Sequence, residues 1–204
     1  MNKPTTPSVQ SVPSDLRRVA GAPSLRKVRG FTLVELLIAV AVMGVLATVA
    51  APSMNAMIDS VKLTSASNGF LSHLLLARSE AIKRNSRVVL CKSADGIACS
   101  STGGWEQGWI VFHDANNDGN RDATEVIVQR ELPLAASLRL TGNLSVARYV
   151  SFTSSGATKL VGGGFQAGTL TVCRHSADGG EARQIILNAV GRPRVYRAAV
   201  ASCA

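Results

Sequence analysis

A single carboxylate interrupts a run of apolar residues long enough to cross a bilayer. From Phe31 to Ala51 the chain carries 21 residues, and Glu35 is the only charged one. As a helix this run covers about 31 Å, close to the ~30 Å hydrocarbon core of a membrane. An acid at that depth costs on the order of 2.5 kcal/mol or more unless a partner answers it. Cutting the peptide bond after Gly30 would leave a free α-amino group on Phe31, within one helical turn of Glu35. The buried acid therefore predicts both proteolytic trimming and side-by-side assembly, with the amine supplied by the same or a neighbouring subunit.

Two plainer readings compete for this segment. An ordinary secretory signal would place its cleavage site at Val49-Ala50-Ala51. However, Pro52 follows directly, and the run exceeds the usual 7–15 apolar residues. A simple signal anchor gives no reason for Gly30 or Glu35. Upstream, Lys3, Arg17, Arg18, Arg26, Lys27 and Arg29 face only Asp15, so the leader is strongly basic within a chain of net charge +9. Positive residues beside a span are held in the cytoplasm, which orients the following domain outward into the periplasm.

Residues 52–204 are enough for one domain with its own core. Between Ser53 and Arg84, Phe70, Leu74, Ala77 and Ala81 recur at helical spacing, with Leu63, Leu71 and Ile82 widening the stripe. Arg78, Glu80, Lys83 and Arg84 are assigned to the solvent side, and His73 to the rim of the stripe. Beyond Arg87 short apolar runs alternate with turns. They predict strands at Arg87–Cys91, Trp109–His113, Glu125–Arg130, Leu138–Leu140, Tyr149–Phe152, Gly168–Cys173, Ala182–Leu187 and Arg194–Arg197. The fold class that follows is α+β, one long N-terminal helix packed on antiparallel β-sheet.

Four cysteines, Cys91, Cys99, Cys173 and Cys203, all lie beyond the apolar run. An even count in an oxidising compartment reads as two disulfides, with three pairings open. Cys91–Cys99 across a short loop, with Cys173–Cys203 tying the C-terminus to a strand, is the favoured one. Zinc is the rival, but there is no C-x-x-C, and His175 near Cys173 is an isolated hint. His73, His113 and His175 join no nucleophile or acid in a recognisable catalytic pattern, and phosphate-loop and dinucleotide fingerprints are missing. The chain is therefore read as no enzyme, and Trp105, Trp109 and Phe112 as core.

Asp114, Asn116, Asp118, Gly119, Asn120, Asp122 and Glu125 fit the calcium-loop spacing D-x-N-x-D-G-x₅-E. Strand patterns flank it where an EF-hand has helices, so a polar hairpin loop is the plainer expectation. Toward the C-terminus, Gly191-Arg192-Pro193-Arg194 precedes Tyr196 and Arg197, with Arg174 and Arg183 upstream. Guanidinium forks grip phosphate oxygens in pairs and stay charged. A glycine-proline turn suits projecting Arg192 and Arg194 together, Tyr196 is placed to stack on a base, and Arg174, Arg183 and Arg197 are expected to extend the patch to five arginines. The bland alternative is a solvated basic hairpin.

The leader with Gly30 and Phe31-Thr32-Leu33-Val34-Glu35 resembles the type III signal of type IV pilins and type II secretion pseudopilins, and Pro52 resembles their helix-kinking proline. That resemblance implies a prepilin peptidase cutting between Gly30 and Phe31 and methylating Phe31, and partner pilins or pseudopilins in an inner-membrane-anchored filament. Downstream, Ala77-Arg78-Ser79-Glu80-Ala81-Ile82-Lys83-Arg84-Asn85, Val89-Leu90-Cys91, Trp105-x-x-Gly108-Trp109-Ile110-Val111-Phe112-x-Asp114 and Phe152-x-x-x-Gly156 resemble the GspH/FimT family. Gly191-Arg192-Pro193-Arg194 is similar to the Gly-Arg-x-Arg motif of FimT proteins. This implies a minor pilin that binds double-stranded DNA through its phosphates during natural transformation. The alternatives within the same family are a secretion pseudopilin at a filament tip and a structural minor pilin that primes assembly.

Overall fold

The computed structural model describes residues 30–203, apart from the side chains of residues 49 and 51–53. The leader expected upstream lies outside the described residues. The chain divides into two units, Met1–Leu46 and Ala47–Ala204. Helix α1 runs from Leu33 to Arg84, with its assignment continuing through Pro52. Among the described residues no helix is long and apolar enough to cross a membrane; the expected span includes Val49 and Ala51, whose side chains are not described.

Eight strands follow: β1 Val88–Lys92, β2 Trp109–His113, β3 Ile127–Glu131, β4 Leu138–Gly142, β5 Tyr149–Phe152, β6 Gly168–Arg174, β7 Gly180–Leu187 and β8 Pro193–Val200. They form two four-stranded antiparallel sheets, β3-β2-β1-β5 and β4-β6-β7-β8. Each expected strand is present, Trp109–His113 and Tyr149–Phe152 with the expected ends and the other six with shifted ones. The third begins at Ile127, because the Glu125 side chain is drawn into the preceding loop. The last extends to Val200, because Arg183 to Gly180 of β7 continue the ladder opposite Arg197 to Val200. Pro193 opens β8, a sheet-edge position where its missing N–H costs nothing in the ladder.

The expected stripe on α1 is the seam of the fold. Leu63, Phe70, Leu74, Ala77 and Ala81 are buried and share one cluster with residues of both sheets, including Leu90, Val111, Leu140, Leu170 and Ile185. Leu71 is half-buried and Ile82 exposed, so the stripe is narrower than the sequence suggests. Phe70 is held edge-on by two indoles, its ring centroid 5.1 Å from Trp105 and 4.9 Å from Trp109. Truncating a fully buried phenylalanine of this kind to alanine costs about 3–5 kcal/mol. Each indole N–H finds an acceptor: Trp105 Nε1 donates to Val146 O at 3.0 Å, and Trp109 Nε1 to His73 Nδ1 at 3.1 Å. A second cluster, Val89, Cys91, Ile110 and Phe112, lies on the other face of the first sheet.

Two of the four residues assigned to the solvent side of α1, Arg78 and Glu80, are half-buried. Glu80 is half-buried and pairs with Arg84 at 2.7 Å and Lys83 at 3.3 Å. Arg78 reaches across to a turn of the second sheet. Both favoured disulfides are present, Cys91–Cys99 and Cys173–Cys203. The second closes 30 residues and fixes the C-terminus onto β6. Its main effect is to restrict the unfolded chain, on the order of 2–4 kcal/mol.

His73 accepts from Trp109 on Nδ1, so its proton sits on Nε2, which lies 3.9 Å from Glu131. Burial pushes its pKa below the ordinary value, and Glu131 opposes this only in part. The unfolded chain protonates this histidine near pH 6.5, whereas the folded chain resists. Stability from neutral His73 is thus complete above that pH and is lost as pH falls through the folded value. Thermal melts between pH 7.5 and 5 should show a falling midpoint. His73→Gln, which keeps an acceptor for Trp109, should flatten that decline; an unchanged slope would reject the assignment.

Candidate functional site

At the helix start, Glu35 has a partner in its own chain besides the expected amine. Thr32 is the N-cap of α1 and Glu35 stands three positions on, the T-x-x-E pattern of a capping box. Glu35 N donates to Thr32 Oγ1 at 3.2 Å, while Thr32 N and Thr32 Oγ1 each donate to Glu35 Oε2 at 3.0 Å. The carboxylate thereby satisfies a helix-terminal N–H that has no partner of its own. Both donors meet Oε2, so the box does not use Oε1. Thr32 was legible as half of this box; the carboxylate's charge drew attention from it. Around it Phe31, Leu33, Val34, Leu36 and Leu37 are all exposed, Phe31 at 89%.

The C-terminal arginines separate into two groups. Arg183 is 3% exposed, and its guanidinium is spent inside the fold. It donates to Glu181 Oε1 at 2.7 Å, to Ala182 O, and to the Ser60 and Thr64 hydroxyls of α1. Arg174 is exposed but pairs with Asp59 of α1 at 2.9 Å. Arg197 lies on the helix side of β8, lining a groove with Ser60, Thr64 and Asn68. A continuous patch of five arginines is therefore corrected: Arg183 is a structural tie between sheet and helix, and Arg174 belongs to an ion pair. Arg192 and Arg194 remain exposed at the β7–β8 turn.

That turn is built rather than loose. Gly191 has φ +74°, and a Cβ there would collide with the carbonyl oxygen of Gly156. Arg78 Nη1 donates to Gly191 O at 3.1 Å, and Arg192 N donates to Asn188 Oδ1 at 2.9 Å. Buried Thr158 ties the turn from below, its hydroxyl lying 2.6 Å from Gln166 O and 3.0 Å from Asn188 O and its N–H donating to Ala189 O. The last turns of α1, the Gly156 turn and the β7–β8 turn thus meet at one place. Gly156 itself, at φ +75°, leaves room for Ile82 and Arg78. Nothing in the local sequence links Arg78 to this motif, since the two lie 113 residues apart.

The acidic loop between β2 and β3 spends its oxygens internally. Asp114 is buried and accepts from Asp118 N and Gly119 N, both at 3.1 Å. Burial raises its pKa above the usual carboxylate value, with those two N–H groups opposing. Glu125 accepts from Ala115 N and Asp122 N. Asn120 N donates to Asp118, and the Asn116 amide bridges Asp118 and Asp122. Among the described residues no three His, Cys, Asp or Glu side chains are gathered to hold a metal ion. Asn117 at φ +64° and Gly119 at φ +75° supply the sharp bend of a polar hairpin loop.

A family model described as Type II transport protein GspH matches residues 66–191, and one described as prokaryotic N-terminal methylation motif matches residues 25–51. No curated protein matches the chain. Among solved structures, the type IV minor pilin FimU of Pseudomonas aeruginosa is similar at 22% identity and TM-score 0.54, over 72% of this chain and 98% of that one. The minor pseudopilin EpsH of the Vibrio cholerae type 2 secretion system is similar at 16% identity and TM-score 0.46, over 66% of this chain and 96% of that one. At this identity the FimU likeness speaks for the fold alone, a long helix packed on antiparallel sheets.

Replacing Gly191 by alanine is expected to cost on the order of 1–3 kcal/mol, because the left-handed backbone and the Gly156 carbonyl both resist a side chain. A drop in thermal midpoint together with faster amide exchange from Asn188 to Arg192 is the expected outcome. Full retention of both would show that the turn tolerates a Cβ.

Proposed function

Because this chain belongs to the GspH family, as a minor pilin or pseudopilin carrying an N-terminal methylation motif, we propose that it is an inner-membrane-anchored subunit of a type IV pilus or type II secretion filament. Its work is structural: it joins other pilins or pseudopilins through its N-terminal segment, with no catalysis. The observation that carries this reading is the row of large apolar side chains left bare on α1. Leu36, Leu37, Ile38, Val40 and Met43 in the first unit, and Met54, Met57 and Val61 in the second, are all more than half exposed. Such a surface needs lipid or neighbouring subunits to cover it. Residues 31–51 serve as the anchor before assembly and as filament core afterwards, and residues 52–204 stand in the periplasm.

Processing fits the capping box. A prepilin peptidase would cut after Gly30 and methylate Phe31, leaving the Thr32–Glu35 bonds in place. The new amine of Phe31, from the same or an adjacent subunit, then answers Glu35 at Oε1. The mature polypeptide purified from membranes should begin at Phe31, and mass spectrometry should find it methylated. Any other start would remove the filament-subunit reading. Glu35→Ala should still reach the membrane but be lost from sheared filament fractions.

A second reading rests on Arg192 and Arg194, two exposed guanidinium groups on an anchored turn. They support non-specific contact with DNA phosphates, as in uptake during natural transformation. With Arg174 and Arg183 committed to α1, the contact involves few phosphates, so its salt dependence is shallow compared with a five-arginine patch. In a gel shift with the full chain in detergent, Arg192→Ala with Arg194→Ala should reduce affinity about tenfold or more at low salt. Arg174→Ala should change it little. Equal affinity in the double variant would reject this site and leave the purely structural role.

A further inference from the structure

The second sheet has one face against α1; the C-terminal segment covers one end of the other face, burying Cys173 and Ala182 with Cys203, and the end that carries Arg194 and Tyr196 is exposed. Leu138, Leu140, Leu170, Val172, Ile185 and Leu187 all enter the core, which fixes the inward parity of β4, β6 and β7. Val195 packs against the same core, so Arg194 and Tyr196 of β8 point outward. The strand register then lays out that outer face in rows. Tyr196 stands opposite Gln184, Gln184 opposite Thr171, and Thr171 opposite Thr141. In the adjacent row Arg194 stands opposite Ile186, and Ile186 opposite Thr169.

Three properties of this face narrow its occupant. Its outward positions on the four strands carry Arg194 and Arg139, the latter 3.8 Å from Glu106, and no aspartate or glutamate of their own. Its middle is threonine and glutamine, able to donate and accept hydrogen bonds, with Ile186 the one bulky aliphatic among the exposed residues there. Tyr196 is 46% exposed and sits two residues from Arg194, so ring and guanidinium project side by side. A hydrophobic subunit contact would want the opposite balance, several large apolar groups and few cations.

We propose that the exposed end of this sheet face is a platform for single-stranded DNA, with Tyr196 stacking on an unpaired base and Arg194 and Arg192 holding the flanking phosphates. The inference rests on the DNA-contact reading of Arg192 and Arg194 and adds to it the class of strand and the aromatic group. A ring standing on the outer face of edge strand β8 reaches a base face only when that base is free of a partner strand. Stacking of this kind tolerates any base, because every base has a π-face, and one such contact typically changes affinity by fivefold or more. Thr171 and Gln184 beside the ring supply polar contacts to base edges.

The test is fluorescence anisotropy of the full chain in detergent with labelled dT15, an unlabelled mixed-sequence single strand and a 15-base-pair duplex at fixed salt. Wild type should bind the single strands at least fivefold more tightly than the duplex. Tyr196→Ala should erase that preference while leaving duplex affinity unchanged, and Tyr196→Phe should restore it, since stacking needs the ring and not the hydroxyl. Arg192→Ala with Arg194→Ala should weaken both ligands. If Tyr196→Ala leaves single-strand affinity intact while the arginine variant weakens both, the platform is overturned and the phosphate-contact reading stands. If neither ligand binds at low salt, both fall, and the face is left to a protein subunit.

Discussion

Phe70 clamped between Trp105 and Trp109 is the contact on which the domain depends. It sits on the one face of α1 that the sheets cover, and it joins the single turn at Trp105 and strand β2 to the helix at once. The indoles are held in turn by Val146 O and His73 Nδ1, so their polar ends do not go unpaired inside the core. Everything on the two sheets is oriented by that seam. Inward parity along β4, β6, β7 and β8 follows from it, and outward parity leaves Arg194 and Tyr196 on the far side.

The same helix sets the fate of the basic residues. Its polar positions Asp59, Ser60 and Thr64 take up Arg174 and Arg183. Its Arg78 reaches the Gly191 carbonyl and steadies the turn that carries Arg192. One element thus buries one cation, pairs a second and steadies the turn that presents two others. A charge count along the last part of the chain treats all five alike, although they do different work.

At the other end, Glu35 has two separable tasks. Within its own chain it closes a capping box with Thr32, which any helix start with that spacing would favour. On the proposed reading, its remaining oxygen is the one that meets the Phe31 amine during assembly. The box organises the helix start within the chain itself and holds the carboxylate in place.

Much of the fold was legible in the chain because it is local and periodic. The stripe from Phe70 to Ala81 follows from helical spacing, the strands from short apolar runs between turns, and the cysteine pairs from count and loop length. The capping box was equally written in Thr32 and Glu35, and it was missed only because a charge in an apolar run invites a long-range partner. Strand ends were less legible: Glu125 looks like the first residue of a strand until Ala115 and Asp122 are seen donating to it.

By itself the sequence determined the apolar segment with its lone acid, the basic leader, the α+β order and the Gly191–Arg194 turn. All of these are set by neighbours within a few residues or by simple periodicity. Only the tertiary structure decided that the strands divide into two sheets, that Arg183 is buried and Arg194 open, and that Arg78 braces a turn 113 residues away. The reason is physical: a guanidinium's availability depends on which oxygens the fold brings within reach, and those oxygens come from residues far along the chain.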